Sequence, residues 1–457
     1  MRAPFMTLDT RAVIREVSDK TKKTMKGFKT LTEIDGIDVG TAPKELVYSE
    51  DKLELYHYKN PNQVTCGTPV LLIYALVNRQ YMLDLQPDRS LVRNLLSHGL
   101  DLYIIDWGYP TKGDMFITMD DYIDGYINNC VDFIRKSANS EQVSLMGICQ
   151  GGTFSAIYSA LYPEKIRNLV TLVAPFDFST NDALLFAWAK HMDADAIANT
   201  YRVVPGDFLN SGFLMLMPYT LHIRKYVEMF DIIEDRDKLL NFLRMEKWIF
   251  DSPGQAGACY KQFIKECYRE NKLIKGKLEI GGRRVDLKNI TMPILNIYAT
   301  ADHLVPPNAT RPFNDAVGSE DKALYEFKGG HIGVFVGSKS QKELAPKLSK
   351  WLHERSECPP SPFPMPEGET AGEHVIGEGG PTEAAERFME PGTAEWTMPV
   401  TEAAPEAPET PEDETLGMIA AEEEEIVPEA KGRAAARPKA RGKETPEEPK
   451  PKKKKKR

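Results

Sequence analysis

What this chain lacks narrows its role first. Its longest apolar run is Val70–Val77, far short of the roughly 20 residues that cross a bilayer as a helix, so no transmembrane segment is expected. The opening M-R-A-P-F-M-T-L-D-T-R carries no apolar stretch of the kind that secretory signals need. Six cysteines (Cys66, Cys130, Cys149, Cys259, Cys267 and Cys358) fall without C-x-x-C pairs, which predicts reduced thiols and a cytoplasmic location. Nor do His, Cys and carboxylates cluster at metal-ligand spacing. No metal site is therefore expected, and no internal repeat of convincing length is present.

Aromatic residues almost vanish beyond Arg355, where Phe363, Phe388 and Trp396 are the last of them, while 16 of the chain's 32 prolines lie in Cys358–Arg457. Such a segment cannot bury enough apolar area to offset the entropy of ordering it, so a disordered tail is predicted over 358–457. The tail is acidic first and then basic, ending in P-K-P-K-K-K-K-K-R. The formal net charge of −9 thus averages two opposite runs and says little about the folded part. The basic end, 431–457, is either a solvated extension, a partner for the acidic run, or a nucleic-acid contact.

What is present between these limits is a regular alternation. Continuous apolar runs at Pro69–Ala75, Asp101–Trp107, Val143–Gly147, Asn168–Ala174, Pro293–Ala299 and Ala323–Phe327 read as strands of a sheet covered on both faces. Leu46–Tyr58 reads as a further strand. Helical patterns separate them at Ser90–His98, Thr118–Lys136, Gly152–Tyr162 and Gln341–His353, with Thr118 and Asp121 placed as a capping pair. This predicts an α/β doubly wound sheet. The alternation breaks between residues 175 and 290, where helical patterns at Ala183–Met192, Leu221–Phe230, Arg236–Trp248 and Cys259–Asn271 are rich in Phe, Met, Leu and Trp. That stretch is expected to be a cap over the sheet. The predicted organisation is an N-terminal helical segment over 1–40, a catalytic domain over 41–357 with the cap inserted at about 175–290, and the tail over 358–457.

The stretch Gln142–Gly152 organises the rest. Strand, sharp turn and helix enclose Gly147-Ile148-Cys149-Gln150-Gly151, the G-x-S-x-G arrangement of a nucleophile elbow with cysteine in the serine place. A buried structural thiol is the alternative for Cys149. A nucleophile needs a base and a group that orients it. In the α/β-hydrolase fold these follow as acid and then histidine, each after a later strand. Asp302 follows Pro293–Ala299, and His331 follows Ala323–Phe327 behind Gly329-Gly330. His303 is a rival base but adjoins Asp302 and follows no strand of its own. The oxyanion hole is expected from the backbone N–H of Gln150 and one from the loop at Val77-Asn78, Asn78 serving either there or as a turn residue. Thiolate attack on a thioester gives another thioester, so little free energy is lost and the acyl group can be passed on. The chemistry therefore points to acyl transfer, with a thioesterase or lactone hydrolase, or a granule- or nucleic-acid-binding structural protein, as alternatives.

Six motifs in order then carry a resemblance: Y-A-L-V-N-R at 74–79, Y-I-I-D-W-G-Y-P at 103–110, G-I-C-Q-G-G at 147–152, F-L-R-M-E-K-W-I-F-D-S-P at 242–253, D-H-L-V-P-P at 302–307 and G-G-H-I-G at 329–333. Together they resemble the catalytic subunit of class III polyhydroxyalkanoate synthases over Ile34–Arg355. The resemblance implies (R)-3-hydroxyacyl-CoA substrates, chiefly 3-hydroxybutyryl-CoA, and a polyester held in cytoplasmic storage granules. It also implies that Cys149 carries the growing chain, that His331 deprotonates Cys149, and that Asp302 activates the monomer's 3-hydroxyl more than it orients His331. A PhaE-type partner subunit and dimeric catalytic cores are implied as well. The tail beyond Arg355 departs from the family pattern.

Overall fold

The computed structural model describes residues 29–356, together with Ser18, Lys26 and Gly27. The predicted tail and most of the predicted N-terminal segment lie outside the described residues; within that segment Lys29–Thr32 is helical.

The apolar runs form strands where expected. The main sheet consists of β1 (Lys44–Glu50), β2 (Leu53–Tyr58), β3 (Val70–Ile73), β4 (Leu102–Asp106), β5 (Val143–Ile148), β6 (Ile166–Leu172), β7 (Ile294–Ala299) and β8 (Lys322–Phe327). Its spatial order is β1-β2-β4-β3-β5-β6-β7-β8. β2 runs antiparallel to both of its neighbours, and all pairs from β4 onward are parallel. Every residue of β3, β4 and β5 is buried, as a sheet covered on both faces requires. Successive side chains face opposite ways. Leu71 and Ile73 enter one core cluster, whereas Val70 and Leu72 enter the other.

The helices α1 (Leu91–Ser97), α2 (Asn128–Ser137) and α3 (Gln150–Leu161) flank this sheet. Leu91 and Leu95 of α1 join one cluster, and Val131 and Ile134 of α2 join the other with Phe154 and Ile157 of α3. The capping pair forms ahead of α2: Thr118 Oγ1 and the Thr118 N–H both donate to Asp121 Oδ2 at 2.7 Å. The helix then passes through a π-helical stretch at Asp121–Ile127 before settling into α2.

One expected element resolves differently. Leu46–Tyr58, read as one strand, is the hairpin β1–β2, turned at Asp51 with φ of 52°. Asp tolerates this left-handed conformation better than most residues, so two strands fit where alternation alone suggested one.

Residues 175–290 leave the sheet and form α4 (Leu184–His191), α5 (Ala194–Tyr201), α6 (Gly206–Leu214), α7 (Lys225–Ile232), α8 (Arg236–Phe250) and α9 (Gly257–Gln262). Two short antiparallel pairs accompany them, Val203–Val204 with Gln255–Ala256 and Glu279–Ile280 with Arg283–Arg284. The chain then returns through β7 and β8 and ends its described part in α10 (Ala345–His353), whose Leu348 and Leu352 seal the cluster that holds α1. Among the described residues no helix is long and apolar enough to cross a membrane.

Candidate active site

The elbow lies between β5 and α3. Cys149 has φ 53° and ψ −125°, a conformation that costs a non-glycine residue about 1–3 kcal/mol. Neighbouring backbone holds it there. The Cys149 N–H donates to Leu172 O at 2.9 Å, and Cys149 O accepts from Gly152 and Thr153 at 2.9 and 3.3 Å. The glycines are required by close approach: a Cβ on Gly151 would lie 2.1 Å from Ile73 O, and one on Gly147 would lie 2.5 Å from the Gly152 Cα. Strand and helix can therefore cross only here, and the crossing lifts the thiol to the C-terminal end of the sheet. Cys149 is partly buried and touches both core clusters. Cys130, Cys259 and Cys267, by contrast, are buried thiols whose pKa burial raises.

Asp302 and His331 come to the same end of the sheet from the loops after β7 and β8. These loops are tied by Thr300 N–H donating to Phe327 O at 2.9 Å and Ala301 N–H donating to Gly329 O at 3.0 Å. Asp302 Oδ1 accepts the N–H groups of Leu304 and Val305 at 2.9 and 2.8 Å. Its Oδ2 lies 2.6 Å from His331 Nδ1. Cys149 is close enough to the imidazole to favour its charged form. With Nδ1 committed to Asp302, Nε2 is left for the sulfur. The three predicted residues are thus brought together in one chain of contacts.

Burial alone would lower the His331 pKa, but the Asp302 carboxylate, its hydrogen bond and the Cys149 contact outweigh it and push the imidazole up to about 10. An imidazole so placed holds a proton taken from the thiol. His303 is not part of this chain. Burial lowers its pKa, against a weaker opposing pull from Asp302.

The Asp302 side chain has 0% exposure, and both of its oxygens are engaged, Oδ1 within its own loop and Oδ2 with His331. In this arrangement Asp302 contacts His331 directly. The Leu304 and Val305 N–H groups hold Oδ1, which leaves Oδ2 facing His331.

The oxyanion donors divide unevenly. Gln150 opens α3, where first-turn N–H groups have no intrahelical acceptor. Its side chain accepts the Leu76 N–H at 3.2 Å, which binds the loop after β3 to the elbow. Asn78 lies at φ 59°, and its N–H donates to Ser252 Oγ at 3.4 Å. Asn78 therefore serves the turn and the inserted segment, and Val77 is the residue between two occupied N–H groups.

Two site neighbours had no signal in the spacing of the sequence. Tyr74, at the end of β3, and Tyr268, from the inserted segment, have pKa values raised first by burial and then by charge on Cys149. Tyr268 belongs to a ring cluster with Phe178, Phe186 and Phe263 at centroid distances of 4.8, 5.1 and 5.7 Å. These rings belong to the buried cluster against which Cys149 packs.

Comparison with known proteins matches this geometry. A family model for the alpha/beta hydrolase fold matches residues 68–338, and one for the N-terminus of poly-beta-hydroxybutyrate polymerase (PhaC) matches residues 14–95. The chain is 51% identical over 343 residues to the poly(3-hydroxyalkanoate) polymerase subunit PhaC of Allochromatium vinosum, covering 75% of this chain and 97% of that protein. It is 50% identical over 351 residues to the subunit of the same name from Synechocystis sp., with 75% and 93% covered. The corresponding subunit of Haloferax mediterranei is 42% identical over 344 residues, with 75% and 69% covered. A thiol on a hydrolase elbow, backed by a buried His–Asp pair, in a chain with relatives of this identity leads to one family: the chain belongs to the PhaC poly(3-hydroxyalkanoate) polymerases.

Proposed function

We propose that the chain polymerises short (R)-3-hydroxyacyl-CoA, chiefly 3-hydroxybutyryl-CoA, through a thioester on Cys149, with release of CoA. His331 takes the thiol proton, and the thiolate attacks the thioester carbonyl. The N–H groups of Gln150 and Val77 receive the oxyanion. The C–S bond to CoA breaks, and CoA leaves with the proton held on His331. The 3-hydroxyl of a second hydroxyacyl group then gives its proton to His331, and its oxygen attacks the Cys149 thioester. An ester bond forms and the Cys149 thiol is restored. Asp302 orients His331 and stabilises its charged form in both steps. The route uses acyl-CoA as substrate and calls on no cofactor.

The observation that carries this reading is the cysteine at the strained elbow with His331 against it. A thiol holds an acyl group at thioester energy, ready for transfer, and the buried cluster that holds Phe178, Phe186 and Tyr268 disfavours water as the acceptor. Family resemblance supports a PhaE-type partner subunit, a homodimer of catalytic subunits and association with polyester granules in the cytoplasm. Composition supports nucleic-acid contact by 431–457, which lies outside the described residues.

The experiment is incubation of the full chain with 3-hydroxybutyryl-CoA, with and without a PhaE-type subunit, following CoA and polymer. Polymer together with CoA is the expected result. CoA with free acid alone would make the protein a hydrolase, and no CoA under either condition would end the enzyme reading.

A further inference from the structure

The loop after β3 is held from two sides. Gln150 takes the Leu76 N–H from the elbow. Trp248–Ser252, the end of α8 and the turn after it, grips the same loop from the inserted segment. Trp248 Nε1 donates to Arg79 O at 2.8 Å, Asn78 Nδ2 donates to the carbonyls of Trp248 and Ile249 at 3.4 Å, and the Asn78 N–H donates to Ser252 Oγ at 3.4 Å. The Asn78 contacts are long, so they need support from elsewhere.

Asp251 supplies that support. Its Oδ2 accepts from Tyr81 OH at 3.0 Å, and its Oδ1 accepts from Tyr109 OH. Tyr81 follows β3 and Tyr109 follows β4, so one carboxylate joins the inserted segment to two sheet-borne loops. The Arg79 guanidinium lies 4.7 Å from the centre of the Tyr109 ring and pairs with Asp106 Oδ2 at 2.6 Å. Gln80 Nε2 donates to the same Asp106 oxygen at 2.6 Å. These contacts surround Val77, whose N–H is the second candidate oxyanion donor.

We propose that Asp251 is a positioning residue for acyl transfer: by holding Tyr81 and Tyr109 it seats the return of the inserted segment on Asn78–Arg79 and so sets where the Val77 N–H points. The assignment rests on the thioester reading above. A carboxylate is the group the place requires, because its two oxygens accept two phenols at once and charge-assisted bonds are about twice as strong as neutral ones. An amide offers a single acceptor oxygen and must donate its NH2 to the other phenol's oxygen, so asparagine loses the charge assistance at both loops and reverses one of the two bonds. Displacing a reacting group by about 1 Å costs up to 100-fold in rate, and losing an oxyanion donor outright costs about 10²–10³-fold.

The test uses the full chain with 3-hydroxybutyryl-CoA. The initial burst of CoA counts the Cys149 sites that can be acylated, and the steady rate is expressed per such site. Asp251→Asn is expected to keep the burst amplitude, lower the per-site rate about 10–100-fold and shift KM less than threefold, with Asp251→Glu restoring most of the rate. A merely structural role would lower the number of active sites and leave the rate of each unchanged. A per-site rate within twofold of the starting protein, or no advantage of Asp251→Glu over Asp251→Asn, overturns the proposal. Should Asp251→Asn not fold, the pair Tyr81→Phe and Tyr109→Phe removes the same donors while keeping both rings, and an unchanged per-site rate there overturns it equally. Absence of CoA from the unmodified protein, both with and without the PhaE-type subunit, would instead remove the thioester reading, and this proposal with it.

Discussion

Cys149 stands on a floor of fully buried strands, while residues 206–232 of the inserted segment turn Phe208, Met215, Tyr219, Ile223, Val227 and Phe230 toward solvent. The floor follows the ordinary rule, with apolar groups inward and the strained turn locked by glycines on either side. The helical stretch Tyr219–Ile232 reverses it. Tyr219, Ile223, Val227 and Phe230 repeat at near-helical spacing on an exposed face, whereas Lys225 is only 4% exposed and pairs with Glu246 at 2.6 Å. An amphipathic helix normally buries its apolar stripe. Here a polar pair faces inward instead, so the two parts of the molecule differ in what specifies them: shape complementarity in the floor, a few directed polar contacts in the segment.

The strongest break in this comparison comes from the thiol. Cys149→Ala removes the nucleophile and leaves the packing of the floor, so CoA release should fall at least about 10⁴-fold. Circular dichroism and thermal unfolding should show the fold retained. Loss of activity only in step with loss of fold would mean that Cys149 is a structural thiol after all.

Asp302→Asn comes next. If Asp302 acts through His331, both acylation and elongation should slow by about 10²–10⁴-fold. Normal acylation with stalled elongation would restore a direct role on the hydroxyl. The same variant has a pH signature. The His331 pKa is raised in the folded state from 6.5 to about 10. Its contribution to stability is therefore present in full below pH 6.5 and is lost as the pH rises through about 10. Without the Asp302 charge, burial pulls the imidazole down, so the fall in stability between pH 7 and 10 should flatten. Urea titrations at several pH values measure it, and parallel pH profiles for the two proteins would contradict the charge coupling.

These two residues also show what the sequence could reveal. Cys149, Asp302 and His331 were legible because the elbow pentapeptide and the order of strands place them without long-range information. The direction in which Asp302 faces was not, because the Leu304 and Val305 N–H groups set it and a spacing does not record that. The buried strands were legible as unbroken apolar runs. The helix α5 was not, although Asp193 caps it through the Ala196 N–H at 3.0 Å, because its buried positions are the alanines Ala194 and Ala198, which give only a weak apolar period. The contacts of Asn78 and Tyr81 with Trp248–Asp251 span about 170 positions, and no local pattern announces them. In the floor local patterns and tertiary structure agree, and in the inserted segment they part.

A smaller break tests the locking of the elbow. Gly151→Ala puts a methyl group against the Ile73 and Tyr74 carbonyls, at 2.1 and 2.7 Å before relaxation. Backbone is the obstacle, so neither side can yield cheaply, and a loss of about 1–3 kcal/mol is expected. Chemical unfolding measures it. A cost under about 0.5 kcal/mol, the range of ordinary surface changes, would show that the floor is no more tightly specified than the segment.

The smallest effect, that of replacing both partners of one ion pair, sharpens the other side of the comparison. If the Lys225–Glu246 pair alone turns this helix inside out, removing one partner and removing both should differ in sign or nearly so. Among the described residues, Lys225→Met leaves the Glu246 carboxylate with only the Tyr226 hydroxyl, at 2.6 Å, and a half-removed buried pair typically costs about 3–5 kcal/mol. Replacing both, as Lys225→Met with Glu246→Leu, removes the desolvation penalty along with the attraction. That change should leave stability within about 1 kcal/mol of the starting protein or raise it. A double variant as unstable as the single one would mean that the pair contributes net stability, and that the exposed stripe of Tyr219, Ile223, Val227 and Phe230 is maintained against a strong inward pull. Near-equal stability would place that pull close to zero, so that the outward stripe costs the folded chain little and the segment is held in its present orientation by contacts such as those of Asp251 with Tyr81 and Tyr109.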